Sequence, residues 1–569
     1  MKNIRHTILS VVILLSGWVQ IPQSLAQTVP LNTPVLEEYM RRAQLLGNLD
    51  GKSSMAIRPL FPVSAFNRYT GVDLDSTFQD FDTSGFNRKF IDHGHQAILV
   101  AMPITTRTQF NSEYAFGLNN GAMIPNRGFQ HVISAGMYFQ YGKFSLQLQP
   151  EFHQAQNRDF LGFPLEHQAT ILFYYEYMNR IDMPERMGED PITRLLPGQS
   201  SIRFNSHGFS VGVSTENVWW GPSRKNSLIL SNNAPGFAHI TLNTTKPQET
   251  PVGSFEGQLI LAGQLRESGH LPPHSDLFIQ NTNVFNPRRE NGNRNLSGII
   301  LSYQPKWVPG LFLGYSATNN VYTEDMENLG DHVPFFNGQK RLSNMPNPNR
   351  DRRQQFSSGF FRWLSQEGHF EFYGEYGTNG NSRRFADFII TPERNRGFTL
   401  GFTNLMPLKK GDSFLQISAE MTQTGQTIRE SIRNLDTWYI HDHVRHGYTH
   451  QGQVLGVGYG PAANVNWIEL GWVKNFNRIA FHFERIVYNN DFYYFRFEAS
   501  KDWRNKYVDL VPALVGDWRF GNLLVNTHVR YVNTLNYTWF LENQPDNYFI
   551  PGLDRKNWVA TVGLAYILK

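Results

Sequence analysis

Short segments of alternating apolar and polar residues recur along this chain, and they constrain its fold more than any other feature. The clearest is the segment of residues 143–153, in which phenylalanine and leucine alternate with serine, glutamine, glutamate and histidine. A period of two residues places the two classes on opposite faces of a strand. Gly142 joins this strand to residues 132–141, which we interpret as its hairpin partner.

Further segments carry the same pattern toward the C-terminus. Their second faces hold Glu371, Glu375, Gln416, Ser418, Glu420, Glu469, His482, Glu484, Asn526, His528 and Arg530. Charges at such positions are costly in a packed sandwich core, whereas a watery lumen accepts them. We therefore expect strands that face lipid on one side and a polar lumen on the other.

Composition and span length favour the same class of protein. No window after residue 26 approaches the roughly 20 continuous apolar residues that a membrane-spanning helix needs. Aromatic residues make up 14% of the chain and charged residues 18%, whereas soluble domains carry about 25% charged residues. The net charge of +4 is too small to indicate nucleic-acid binding. The prediction is an all-β fold, a transmembrane outer-membrane β-barrel.

Connection lengths fit a barrel as well. Residues 365–368 and 474–478 form short links, whereas residues 324–353 and 428–450 are long and polar. Bacterial barrels have short periplasmic turns and long extracellular loops. The segment from Trp558 to Tyr566 alternates again and is the predicted closing strand.

The N-terminus has the features of an export signal. Basic residues precede an apolar run at 8–15, and Ser24 and Ala26 are the small residues that a signal peptidase reads. We predict that residues 1–26 are a cleaved signal peptide and that the mature chain begins at Gln27. The chain has no cysteine, so a lipid anchor, a disulfide and a thiolate metal site are excluded.

A short amphipathic helix is predicted ahead of the barrel. Thr33 and Pro34 form its start and Gly47 ends it. Its apolar stripe consists of Leu36, Tyr39, Met40, Ala43 and Leu46. We expect this stripe to be buried against the rest of the protein as a periplasmic plug. The predicted division is an N-terminal helical or irregular periplasmic segment over residues 27–90 and a barrel with long extracellular loops over residues 91–569.

The most unusual stretch pairs Glu216–Ser223, which contains Trp-Trp-Gly-Pro, with Ser231–His239, which contains Asn-Asn-Ala-Pro-Gly-Phe. In this pairing the chain resembles the Wzi-type outer-membrane capsule assembly proteins, particularly their Bacteroidetes branch. The resemblance covers most of the mature chain, including residues 453–461. It implies a barrel of about 18 strands, occluded by infolded loops and closed from the periplasm by N-terminal helices. It also implies a lectin that helps to retain capsular polysaccharide.

The same two segments suggest a sugar site. An aromatic ring stacks on the C–H face of a pyranose, while carboxylate and amide groups bind its hydroxyls. The candidate polysaccharide-binding residues are Glu216, Asn217, Trp219, Trp220, Asn232, Asn233 and His239. In the alternative interpretation, the tryptophans are girdle or packing residues, and the Asn-Asn-Ala-Pro-Gly run is a turn that backbone geometry requires.

Other motifs give weaker signals. The histidines of the segment 441–450 lack a spacing that makes ligands converge, so we expect solvated side chains, no metal site and no cofactor. Residues 456–460 lack the Gly-Lys-Ser/Thr ending of a phosphate loop, and we interpret them as a strand in which small residues permit close approach. We find no Gly-x-Ser-x-Gly motif, and we predict no enzymatic activity.

Several arginines make loop segments basic: Arg288, Arg289, Arg294, Arg350, Arg352 and Arg353. They suit an acidic capsule or lipopolysaccharide phosphates, with ordinary solvated loop charge as the alternative. The partners we expect are capsular or exopolysaccharide, outer-membrane lipids with lipopolysaccharide, and the barrel-assembly machinery during biogenesis. We expect no nucleic-acid partner.

Three classes of function remain: a surface lectin, a porin or sugar-selective channel, and a barrel hydrolase. The lectin is our prediction, and the resemblance implies that its barrel is plugged. A porin must keep a continuous wet channel, and a hydrolase needs a serine or carboxylate whose loss abolishes turnover. Weak contacts to many polymer repeats by many barrels add up to firm retention.

Overall fold

The computed structural model describes most of the chain. The described residues are 28–31, 33–61, 88–92, 95–163, 168–271, 278–279, 282–283, 291–327, 329–332, 352–380, 395–409, 412–426, 437–497, 506–539 and 554–568. The predicted signal peptide, residues 1–26, lies outside them. Over these ranges no helix is both long and apolar enough to cross a membrane.

The described elements are mostly strands. In chain order they are α1 (Pro34–Leu45), β1 (Ile57–Arg58), β2 (Arg88–Asp92), β3 (His95–Asn111), β4 (Gly128–Tyr141), β5 (Phe144–Leu148), β6 (Glu151–Ala155), α2 (Gln168–Met178), β7 (Ile192–Leu196), β8 (Ser201–Ser206), β9 (Phe209–Ser214), β10 (Trp219–Trp220), β11 (His239–Thr244), β12 (Gln248–Thr250), β13 (Gly253–Leu265), β14 (Phe278–Ile279), β15 (Thr282–Asn283), β16 (Arg294–Pro305), β17 (Leu311–Tyr322), α3 (Leu329–His332), β18 (Arg353–Ser365), β19 (Phe370–Asn379), β20 (Arg396–Pro407), β21 (Phe414–Gln423), β22 (Thr449–His450), β23 (Gln453–Val454), β24 (Asn464–Lys474), β25 (Asn477–Val487), α4 (Asn490–Phe497), β26 (Val508–Phe520), β27 (Leu523–Leu535) and β28 (Arg555–Tyr566).

The strands form one closed antiparallel barrel of 18 strands, with interrupted strands counted once. The predicted closing strand is confirmed, because β28 pairs with β27 on one side and with β3 on the other. Strand β2 pairs with the start of β3. It spans the boundary that we expected between the N-terminal segment, residues 27–90, and the barrel, residues 91–569. Three two-stranded sheets lie outside the barrel wall: β1 with β10, β14 with β15 and β22 with β23.

The segment predicted as a single strand over residues 143–153 is interrupted. Its first half is β5, its second half is β6, and both pair with β4, so the predicted hairpin partner is confirmed. The prediction of one continuous strand is wrong because of Pro150. Proline has no amide hydrogen to donate to a neighbouring strand, and beyond the break β5 pairs with β8 whereas β6 pairs with β7.

Connection lengths distinguish the two ends of the barrel. The links predicted at 365–368 and 474–478 are confirmed as tight turns, between β18 and β19 and between β24 and β25. We call this the short-turn end. Residues 112–127 connect strands at the opposite, long-loop end. The predicted long loops at 324–353 and 428–450 belong to that end, in the parts that the structure describes.

The alternation of the wall strands is confirmed, but their inner face is not watery. Ile468, Leu470 and Phe481 point outward and are exposed, whereas Glu469 and His482 point inward and are buried. The expectation of solvated lumen charges is therefore wrong at these positions. Glu469 accepts from Gln416 and Arg478 of the neighbouring wall strands, and His482 lies 3.2 Å from His528 of β27. Helix α1 and infolded connections occupy the space inside the wall.

Helix α1 is confirmed and lies inside the barrel at the short-turn end. It starts with Pro34 at its first turn and is followed by Gly47, whose φ of +76° suits a residue that ends a helix. Its apolar residues pack on Phe476, Leu524 and Ile567 near the short turns. The apolar stripe is thus buried against the barrel, as expected.

Ionic contacts tie the polar face of α1 to the wall. Arg41 Nε lies 2.8 Å from Glu371 Oε1, and Arg362 Nε donates to the other carboxylate oxygen at 2.9 Å. Glu38 forms an ion pair with Arg224. Although burial opposes ionisation, Arg224 and the other surrounding guanidinium groups hold the pKa of Glu38 well below its usual range.

Candidate functional site

The Trp-Trp-Gly-Pro segment contacts the N-terminal segment of the chain. Trp219 and Trp220 form β10 and pair with Arg58 and Ile57 of β1. The Gly221 amide donates to the carbonyl of Ala56 at 2.8 Å. Two guanidinium groups also reach this segment, since that of Arg58 donates to the Ser223 carbonyl at 2.8 Å and that of Arg41 donates to the Pro222 carbonyl at 2.7 Å. The segment therefore docks α1 and β1 within the barrel.

The Asn-Asn-Ala-Pro-Gly segment is held by hydrogen bonds within the protein. Asn217 Nδ2 donates to Asn232 Oδ1 at 2.7 Å and to the Ala234 carbonyl at 2.8 Å. Asn233 Nδ2 donates to the Val454 carbonyl at 2.9 Å. A Cβ atom at Gly236 would lie 1.9 Å from the backbone oxygen of residue 215, so only glycine fits there. These contacts support the alternative interpretation of this run as a turn that backbone geometry requires.

All seven candidate sugar-binding residues are buried, with exposed fractions between 0% and 6%. Glu216 accepts from Arg203 at 2.6 Å, and His239 Nδ1 lies 2.8 Å from the carbonyl of Phe237. The two tryptophans are not girdle residues, because they lie inside the barrel. Exposed aromatic residues near the strand ends fit a girdle instead, among them Trp307, Trp363 and Trp558.

Trp220→Ala is expected to destabilise the barrel interior strongly. Trp220 is fully buried, its indole donates to Gln258 Oε1 at 2.8 Å, and its ring occupies the space above Gly298. Removing such a ring costs about 3–5 kcal/mol. The temperature of the change in gel migration between folded and unfolded protein measures the effect. The control is Trp307→Ala, whose ring is 72% exposed and whose cost we expect to be about 0.5 kcal/mol. Equal shifts for the two variants would contradict a packing role for Trp220.

A cavity of about 220 Å³ lies at the long-loop end, and we call it the outer pocket. Its rings belong to Tyr114, Phe116, Phe160, Tyr174, Tyr459, Tyr488, Tyr507, Tyr537 and Trp539. Polar side chains without a ring also line it. They are Glu185, Asn233, Gln453, Asn489, Asp509 and Thr538. Rings beside carboxyl and amide groups are the chemistry expected for a sugar site, and Asn233 is the only residue of the predicted set that lines this pocket.

In the outer pocket, Nε2 of Gln453, a donor, and Oδ1 of Asn489, an acceptor, are buried without a hydrogen-bond partner among the residues that the structure describes. A buried polar atom that stays unpaired costs about 1–3 kcal/mol. A sugar hydroxyl both donates and accepts, so it can satisfy groups of either kind.

A second cavity of about 200 Å³ lies deeper in the lumen, next to α1, and we call it the inner cavity. Trp219 and Asn232 line it, whereas Glu216, Asn217, Trp220 and His239 line neither cavity. Phe116, Leu118 and Tyr459 line both cavities and therefore lie between them. Of the seven predicted sugar-binding residues, one therefore lines the outer pocket, two line the inner cavity, and four are packed in the interior away from both.

The histidine-rich segment folds into the barrel, so the expectation of solvated side chains is wrong for His446 and His450, which are buried, whereas His441 and His443 are partly buried. His443 pairs with Asp325 at 2.8 Å and His446 with Glu267 at 3.1 Å. Burial lowers the pKa of His441 to about 4 and that of His450 to about 3. The described residues contain no group of three or more side chains that could hold a metal ion.

Two further predictions differ from the structure. Residues 456–460 form turns rather than a strand, although close approach is confirmed because a Cβ at Gly458 would lie 2.4 Å from Asn233 Oδ1. Of the basic loop arginines, Arg294 is buried and donates to the Gly447 carbonyl at 2.6 Å, and Arg353 pairs with Asp331. Arg352 pairs with Glu327 at 2.7 Å. Arg288, Arg289 and Arg350 lie outside the described residues.

Sequence reasoning missed most of the outer pocket. Its lining comes from several connections that are far apart in the chain, and each contributes one to a few residues. Gln453 lies in residues 453–461, which carry the family resemblance but no sign of a binding site in the sequence. The sequence feature that could have indicated the pocket is the density of tyrosine and tryptophan in these connections. It is not specific, because the same residues are common at membrane interfaces.

Comparisons with known proteins place the chain in a family. Residues 115–507, more than half of the chain, match the family model described as capsule assembly protein Wzi. The solved structure of Wzi from Escherichia coli, described as an outer membrane protein involved in group 1 capsule assembly and a carbohydrate-binding β-barrel, aligns with a TM-score of 0.56 at 12% identity. The alignment covers 96% of this chain and 100% of that one. A search of curated proteins finds no match.

Two other solved barrels are less similar. OccAB3 from Acinetobacter baumannii aligns with a TM-score of 0.39 at 8% identity and covers 82% of this chain and 98% of its own. OccK8 from Pseudomonas aeruginosa aligns with a TM-score of 0.38 at 7% identity, with 84% and 99% covered. Scores this low support no argument about function. The family match and the closed barrel agree, and the chain belongs to the Wzi family of capsule assembly proteins of the outer membrane.

Proposed function

We propose that this protein binds capsular or exopolysaccharide non-covalently in the outer pocket and thereby helps to assemble or retain it at the cell surface. The observation that carries the proposal is the pair of unpartnered polar atoms, Gln453 Nε2 and Asn489 Oδ1, in a pocket lined by aromatic rings. The family membership and the carbohydrate-binding description of the Escherichia coli protein support it.

The position of the outer pocket suits a surface-exposed polymer. Outer-membrane barrels present their long loops to the outside and their short turns to the periplasm, and the outer pocket lies at the long-loop end. Residues 27–90, which include α1, would then close the periplasmic end after removal of residues 1–26. We further propose lipopolysaccharide and the barrel-assembly machinery as partners of the wall.

Binding rather than turnover explains the arrangement of the carboxyl groups. Glu185 Oε2 accepts from the Phe163 amide at 2.9 Å, and Asp509 accepts from Tyr488 at 2.9 Å and from Thr534 at 2.5 Å. These side chains position loops and rings, and we propose no catalytic role for them. Retention of a long polymer then depends on many weak sites in one membrane. The sugar contacts predicted in the segments 216–223 and 231–239 remain a prediction, and Asn233 is the member of that set that lines the outer pocket.

The purified, detergent-folded protein is expected to bind immobilised polysaccharide of its own strain and to show negligible conductance in a planar bilayer. Binding follows from the outer pocket, and low conductance follows from the covered inner faces of the wall strands. Heat-unfolded protein serves as the control for non-specific adsorption. Steady channels without polysaccharide binding would favour the porin over the lectin.

A further inference from the structure

The inner cavity has an excess of positively charged side chains. Six arginines and one lysine line it, together with four glutamates. Burial raises the pKa of Glu37, one of these glutamates, to about 7, so its negative charge is incomplete at neutral pH. The balance of charge in this part of the lumen is therefore cationic.

Most of these cations have a carboxylate partner within the protein. Arg58 lies 3.2 Å from Glu37, Arg478 lies 3.2 Å from Glu469, and Lys225 lies 3.6 Å from Glu484. Arg224 pairs with Glu38, and Arg41 pairs with Glu371 of the wall. These pairs account for five of the seven cationic side chains.

The remaining two are Arg107 of β3 and Arg530 of β27. Neither guanidinium forms an ion pair or a hydrogen bond with any residue in the described part of the chain. Strand β28 separates them in the wall, and the residue opposite Arg107 on β28 is Gly563, which has no side chain to fill the space. Two like charges thus line one cavity without an ion pair of their own, although Glu484, which pairs with Lys225, lies near enough to act on Arg530 electrostatically.

Two neutral donors in the same cavity also lack an acceptor. The indole nitrogens of Trp219 and Trp467 are buried without a hydrogen-bond partner among the described residues, and so is Nε of Arg107. Both indoles line the cavity next to cations, since Arg58 lies over the ring of Trp219 and Lys225 over that of Trp467. Unpartnered acceptors also line the cavity, Oε1 of Glu37 and Oδ1 of Asn119, but the unpartnered N–H donors outnumber them, since Nε of Arg58 and of Arg224 is unpartnered as well over the described residues. An excess of N–H donors beside positive charge favours an anion.

We propose that the inner cavity is an anion-binding site in which Arg107 and Arg530 bind a carboxylate or phosphate group and the indoles of Trp219 and Trp467 donate hydrogen bonds to it. Guanidinium groups suit such ligands because their fork of N–H donors matches two oxygens of an oxyanion. The ligand is either a free inorganic anion or the acidic group of a sugar. This site is separate from the outer pocket and does not depend on the function proposed for it.

The test measures the unfolding temperature of the folded protein in detergent against inorganic phosphate, glucuronate and glucose, at constant ionic strength in chloride. Ligand binding to the folded state gives a saturable rise, and we expect a rise of several degrees with phosphate or glucuronate and none with glucose. A response to phosphate alone identifies an inorganic anion, and a response to glucuronate identifies an acidic sugar. No saturable rise with either anion, or an equal rise with glucose, would overturn the proposal.

Arg107→Gln combined with Arg530→Gln is expected to abolish the response. The variant should fold, because it breaks no ion pair among the described residues and relieves the repulsion between the two guanidinium groups. Arg352→Gln is the matched control, since Arg352 pairs with Glu327 outside the cavity, and it should respond as the wild type does. An undiminished response in the double variant would also overturn the proposal. If the double variant does not fold, equilibrium dialysis of the wild type with labelled phosphate and labelled glucuronate decides: saturation of either anion near one per chain supports the site, and its absence for both overturns it.

Discussion

Glu371→Gln is expected to release α1 from the barrel wall. Its carboxylate is the shared partner of Arg41 on α1 and of Arg362 on β18, and all three side chains are buried. Glutamine keeps the shape but removes the charge, which leaves two buried guanidinium groups facing a neutral amide. Removing one partner of a buried ion pair costs about 3–5 kcal/mol.

Hydrogen exchange of the α1 amides measures this release directly. A cost of that size corresponds to exchange that is faster by roughly two to four orders of magnitude, since about 1.4 kcal/mol is a factor of ten. The control is Glu249→Gln, which breaks the exposed pair between Glu249 and Lys52 and should cost less than about 1 kcal/mol. Unchanged protection of α1 in Glu371→Gln would show that the ionic cluster does not hold the helix.

The features that sequence predicted well are those that depend on neighbours in the chain. The alternation around Glu469 and His482 specifies which side chains face inward, whatever fills the lumen. The start of α1 at Pro34 and its end near Gly47 follow from backbone chemistry that acts within one turn. Pro150 is equally local, and the absence of its amide hydrogen explains why one predicted strand is two.

Whether a side chain that points inward is solvated or buried depends on residues far away in the chain. Glu469 and His482 were expected in water, but α1 and the infolded connections cover the inner face. The surroundings of Trp219 and Trp220 could not be predicted for the same reason. An indole ring that stacks on a sugar and one that packs on another part of the protein look alike in the sequence. Asn489 and Gln453 lie on separate connections, and only the closed barrel brings them to one pocket.

The most direct test of the proposed role compares polysaccharide binding by the wild type with binding by the combined variant Gln453→Leu and Asn489→Gly. Leucine keeps most of the volume at the first position. Glycine accepts the φ of +45° at the second. The variant removes Nε2 and Oδ1, which have no partner among the residues that the structure describes, and it also removes the contact of the Asn489 side chain with the Tyr177 hydroxyl. Heat-modifiable gel migration therefore verifies that the variant is folded before binding is compared. The matched control is Asn319→Ala, since Asn319 lies on β17 outside the outer pocket and its side-chain amide is likewise unpartnered over the described ranges.

Two lost hydrogen bonds of about 0.5–1.5 kcal/mol each should weaken binding to the strain's own polysaccharide between roughly 5-fold and 150-fold. The control should bind as the wild type does. Binding that is equally strong in the folded pocket variant and in the wild type would contradict the outer pocket as the polysaccharide site.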